Sequence, residues 1–138
     1  MTDSAIDHWA IAAIKARYCT AVDLCATDPE AARGVMAPLF GTDAEADYGA
    51  GPVIGPHAIV AFLAANIAVN SEWMLHMLHT PLIVVEGDAA RGDWTIMVHC
   101  KRRSSAATDV IVGRYADTFR RGADGAWRIV QVRFQRIS

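Results

Sequence analysis

The chain has 138 residues, of which 53% are hydrophobic and 20% charged, with a formal net charge of −2. That length suits one domain, residues 1–138, built on a single core. The composition excludes a disordered chain and gives no electrostatic case for nucleic acid as a partner. Cys19, Cys25 and Cys100 are an odd number at spacings that fit no metal or redox motif, so reduced thiols in a cytoplasmic protein are the simplest account.

Met1 to Ser4 lacks the basic and apolar regions of a signal peptide, and Ala58 to Val69, interrupted by Asn66, is too short to cross a membrane. Ser4 can cap a first helix, with Asp7 in the first turn where the helix dipole favours it. In this helix Ile11, Ile14, Tyr18, Ala21, Val22 and Cys25 recur at three-and-four spacing, so one face needs a large cover. Asp23 falls roughly 140° from the centre of that stripe, above the small row Ala12, Ala16 and Cys19. It is either a solvated last-turn residue, opposed by the dipole by a few tenths of a kcal/mol, or a carboxylate with room kept beside it.

Asp28 caps and Pro29 opens a second helix through about Leu39, and Phe40 to Asp43 reads as a turn. Ala44, Ala46 and Tyr48 then alternate with Glu45 and Asp47, a half-buried strand with Tyr48 inward. Gly49 to Gly55 is a hairpin returning through Val53-Ile54, and Pro56 opens a third helix whose Ile59, Phe62, Leu63 and Ile67 lie on a sheet. From Trp73 the period becomes two, predicting four long strands near 74–86, 89–103, 109–121 and 125–137. The result is an α+β fold, with three N-terminal helices packed on a curved, mainly antiparallel sheet that wraps a cone-shaped interior.

Alternation sorts the candidate side chains. His76 is in phase with the apolar Leu78, Leu82 and Val84, whereas His79 goes with Ile83 and Val85 on the opposite face. His8 and His57 default to the surface. His99 alternates away from the cone unless a bulge intervenes, and Arg136 shares the face of Val130, Val132 and Phe134, which brings it to the pocket mouth. No phosphate loop, nucleophile elbow or metal-ligand spacing occurs, so neither cofactor nor metal is expected. An apolar cavity holding Asp, His and Tyr is the inventory of cofactor-free proton transfer, although a buried histidine is often only a hydrogen-bonded core residue. The outer sheet face, with Met97, Trp127 and the Ile83-Val85 row, predicts a homo-oligomer.

Arg17-Tyr18 with Asp23, Asp43 to Tyr48, Gly55 with Ala58-Ile59 and Phe62, Leu75-His76, Glu86 to Ala90, Gly113 to Phe119 and Asp124 to Ile129 together resemble the SnoaL-like, or nuclear transport factor two-like, superfamily of cone-shaped α+β barrels. That superfamily includes ketosteroid isomerase, polyketide cyclases and scytalone dehydratase. Tyr18, Asp23 and a histidine opening the first long strand are similar to the dehydratase branch, and the resemblance implies an Asp23–His76 dyad beneath a hydrophobic pocket, with Tyr48 as a pocket tyrosine. The related dehydrochlorinase has lysine where Tyr18 stands, which disfavours chloride elimination.

The expectation is a cofactor-independent lyase acting on a small, apolar, hydroxylated ring compound. His76 would be the base, Asp23 its orienting partner, and Tyr18 and Tyr48 donors to a carbonyl that becomes enolate. His99, Tyr115, Phe134 and Arg136 would contact the substrate. The same parts would serve an isomerase or cyclase. In a non-catalytic module, such as a dioxygenase small subunit with a large iron-bearing partner, the cone would be filled or hold a ligand. The resemblance also implies a trimer or a dimer.

Overall fold

Ten elements follow one another in the computed structural model, which describes residues 3–138; Met1 and Thr2, part of the segment read for targeting signals, lie outside the described residues. They are α1 (Asp3–Leu24), α2 (Pro29–Met36) with a 3-10 turn (Ala37–Leu39), β1 (Phe40–Asp47), β2 (Pro52–Ile54), α3 (Pro56–Asn70), β3 (Ser71–Glu86), β4 (Ala89–Arg102), β5 (Thr108–Arg121) and β6 (Trp127–Arg136). The strands form one open sheet in the order β2-β1-β6-β5-β4-β3. Its pairs are antiparallel except β1 with β6, which is parallel. Three helices packed on this sheet make the cone-shaped α+β fold read from the sequence. No helix among the described residues is long and apolar enough to cross a membrane.

The local chemistry explains most boundaries. Asp28 accepts a hydrogen bond from the Ala31 amide at 3.1 Å, and Pro29 sits at the first helical position, where its missing N–H costs nothing. Gly87 and Gly125, at φ of 62° and 81°, make the β3–β4 and β5–β6 turns that a side chain would strain. Two boundaries differ from the reading above. Ser4 lies inside α1 and does not cap it, and Phe40 to Asp43 is already strand.

Besides an irregularity at the start of β3, where Ser71 pairs with Arg102 and Trp73 with Lys101, two bulges reset the sheet's faces. On β3, His79 pairs with Thr95 and Leu82 with Asp93, so Thr80 and Pro81 together oppose one residue of β4. Pro81 has no N–H for the ladder, and Thr80 takes φ 47°, so the strand steps over both. The phase inverts: Met74, His76 and Leu78 face the core before the bulge, Ile83 and Val85 after it. Leu82 and Val84 therefore do not share His76's face but are exposed. On β6, Ile129 pairs with Phe119 and Gln131 with Thr118, which leaves Val130 as the extra residue. Trp127 and Ile129 are buried before it, and Val132 is buried after it with Phe134 packed beside it, so Val130 leaves the row of Val132 and Phe134.

One continuous core results. The α1 stripe of Ile11, Ile14, Tyr18 and Val22 packs with Trp94, Ile96 and Val98 of β4 and Ile59 and Leu63 of α3. The outer face also differs from expectation, since Trp127 is buried and Ile83 and Val85 point inward. Its apolar surface is instead Trp73, Leu75, Val110 and Val112, with the partly buried Met77 and Met97 between them.

Candidate active site

β3 is an edge strand, so its backbone N–H groups on the free side have no strand to bond. At His76 this vacancy meets the end of α1: the His76 amide donates to both Asp23 oxygens at 3.1 Å. The same carboxylate lies 2.5 Å from His76 Nδ1. Asp23 thus holds the strand and the ring together, and its own side chain is 17% exposed against 5% for His76. A carboxylate accepts, so Nδ1 carries a proton, and in the neutral ring Nε2 is the acceptor.

His76 lines a cavity of about 270 Å³ between α1, α3 and the sheet. Its walls are mostly apolar, including Val22, Leu63, Ile67, Met74, Val98 and Ile111. Tyr48, Tyr115, Phe134 and Arg136 complete the lining, so three of the four expected substrate contacts are on the wall. The fourth, His99, is not. It lies between the buried Val98 and Cys100, paired across the strands with the exposed Leu75 and Val110, and no bulge on β4 turns it inward. His57 is exposed as read, but His8 is not a free surface residue, since its Nε2 meets the Ile83 carbonyl at 3.0 Å.

The chain's three tyrosines converge here. Tyr48 stacks on Phe62 at 5.7 Å, and its hydroxyl lies 2.7 Å from that of Tyr18. Tyr18 is fully buried, meets Tyr115 edge to face at 6.0 Å, and is absent from the cavity wall. The expectation that both Tyr18 and Tyr48 face the cavity therefore needs correcting: Tyr48 is on its wall, and Tyr18 stands behind Tyr48. Burial pushes the hydroxyls of Tyr18, Tyr48 and Tyr115 well above their ordinary pKa, so all three remain donors. Burial likewise raises the Cys19 and Cys25 thiols, to about 12 and about 11, which leaves them inert as nucleophiles.

Beneath the tyrosines lies a pair that pattern reading missed. Lys15 Nζ and Asp117 Oδ2 form an ion pair at 2.6 Å, with both side chains wholly buried. The ammonium sits 3.3 Å from the Tyr115 ring centroid and 4.3 Å from that of Tyr18. Burial raises the Asp117 pKa, with Lys15 opposing the shift. The strand alternation already puts Asp117 on the inward row with Gly113, Tyr115 and Phe119, all buried, and that was the available signal. Among the described residues no group of three His, Cys, Asp or Glu is placed to hold a metal.

Comparison with known proteins follows this geometry. A protein of the nuclear transport factor two-like superfamily from Salmonella enterica superposes with a TM-score of 0.84 at 21% identity, covering 99% of this chain and 94% of that one. A Novosphingobium aromaticivorans protein provisionally assigned as a scytalone dehydratase gives 0.82 at 21%, covering 100% and 89%. The hexachlorocyclohexane dehydrochlorinase LinA-type3 of Novosphingobium barchaimii gives 0.84 at 19%, covering 99% and 90%. At these identities the likeness is one of fold. No curated protein matches by sequence. The SnoaL-like domain family matches residues 3–133, nearly the whole length, and the chain belongs to that family.

Proposed function

We propose that this protein is a cofactor-independent lyase of the dehydratase type, acting on a small hydroxylated ring ketone. The observation that carries the reading is the Asp23–His76 pair, bonded through Nδ1, with the ring on the wall of an open apolar cavity. Dehydratase and dehydrochlorinase names among the structural neighbours support elimination as the reaction class.

In this mechanism His76 Nε2 removes a proton from the carbon next to the substrate carbonyl, and Asp23 stabilises the imidazolium that forms. Tyr48 donates a hydrogen bond to the carbonyl oxygen as it becomes enolate, while Tyr18 donates to Tyr48 and strengthens that donor. The enolate then collapses: the carbon–carbon double bond forms, the bond to the β-hydroxyl breaks, and the leaving oxygen takes the proton back from His76. One water departs and the dyad is restored. The cavity's open volume favours this over a non-catalytic module with a filled cone.

The test is turnover on a panel of β-hydroxy cyclic ketones, followed by enone absorbance. Asp23→Asn and His76→Ala should each abolish activity on a compound the wild type dehydrates, while both retain the native circular dichroism spectrum. Activity surviving in both variants sinks the dyad mechanism.

A further inference from the structure

Arg136 is the unexplained member of the cavity wall. Arg33, Arg102, Arg121 and Arg128 are matched to carboxylates at 3.4 Å or less; Arg136 is among the arginines that no carboxylate meets among the described residues, and it is the one that lines this cavity. Its backbone is held, not frayed. Arg136 pairs with Gly113, and beyond it the Ile137 amide donates to the Val112 carbonyl at 2.8 Å while Val112 donates to Ser138 at 3.0 Å.

Gly113 also shapes the space. A Cβ there would lie 2.6 Å from the Phe134 ring and 2.6 Å from the Gln135 carbonyl, so only glycine lets Phe134 lie down across β5 toward Tyr115, 5.2 Å away. The side chain two residues on, Arg136, is then carried to the rim on the same face. Asp23 is turned to His76 and is not part of the lining, so Arg136 is the one residue with a permanent charge on the cavity wall.

We infer that Arg136 makes this cavity selective for a ring acid, whose carboxylate docks on the guanidinium at the mouth while its ring fills the apolar interior and reaches His76. The inference rests on the catalytic reading above and names the substrate class for it. A planar fork of donors matches a planar two-oxygen anion, and an exposed arginine is not costly to pair because it stays partly hydrated. The volume sets the size. A cavity of about 150 Å³ holds benzene and drug-sized ligands take about 300 Å³ or more, so 270 Å³ encloses one or two fused rings, not four.

Binding of 2-naphthoate and its neutral isostere 2-naphthamide, measured by calorimetry at pH 7 and low salt, tests this without a known substrate. Wild type should bind the acid about tenfold more tightly than the amide, as a charge-assisted hydrogen bond predicts. Arg136→Gln should remove that preference by bringing the acid's affinity down to that of the amide. Equal affinities in the wild type, or a preference that persists in Arg136→Gln, overturn the inference. The His76 ring resonances separate this failure from a wider one. If the amide shifts them and the acid gains nothing, the catalytic reading stands and only the ring-acid inference falls. If neither compound shifts them, both fall.

Discussion

At the scale of single residues, the decisive fact is that an aspartate ending one helix completes the hydrogen bonding of an edge-strand histidine. Asp23 accepts from the amide and the ring of His76, and this makes the ring's orientation a property of the fold rather than of a flexible side chain. The two tyrosines divide the work unequally. Tyr48→Phe should lower kcat about a hundredfold, the usual cost of losing one donor to a developing oxyanion. Tyr18→Phe, one step removed, should cost less, and steady-state kinetics on the same substrate will rank them. Because burial raises the Tyr48 hydroxyl, its loss of a proton should not limit activity at pH 9 to 10, and a pH–rate profile checks that sign.

At the scale of elements, the Lys15–Asp117 pair joins α1 to β5 through the core. Removing one partner leaves an uncompensated buried charge, so Asp117→Ala should destabilise the fold by about 3 to 5 kcal/mol. Replacing both, as in Lys15→Met with Asp117→Leu, should be neutral or stabilising by urea denaturation, because the apolar substitutes avoid the desolvation cost. Much of each element was legible beforehand. The Asp28-Pro29 start, the three helices, and the four long strands follow from capping, period and turn chemistry. The bulges were not legible, because Leu82-Ile83-Val84-Val85 is apolar on both phases and the pattern offers no place to detect one extra residue. Pro81, unable to join a ladder, was the only hint, and Val130 sits in a run with none. These errors leave the placement of His76, Phe134 and Arg136 on the inner face unchanged, because His76 lies before the Thr80-Pro81 bulge and Phe134 and Arg136 lie after the β6 one.

At the scale of the molecule, the sheet has an inner face committed to the core and an outer face that is apolar across β3, β4 and β5. Leu75, His99 and Val110 form one cross-strand row and Met77, Met97 and Val112 the next. A patch of this kind is suited to a second copy of the chain. We expect sedimentation velocity to show a homo-oligomer, and Val112→Lys to reduce it to monomer without loss of fold.

The central claim concerns the other face, where an imidazole on the wall of an apolar cavity, held from behind by a carboxylate, moves a proton from carbon. Deuterium incorporation into 2-tetralone in D2O, followed by proton NMR, tests it most directly, since only removal of the proton next to the carbonyl is required. Wild type should accelerate exchange well above buffer, and His76→Ala and Asp23→Asn should return it to the buffer rate. Undiminished exchange in His76→Ala would contradict the account.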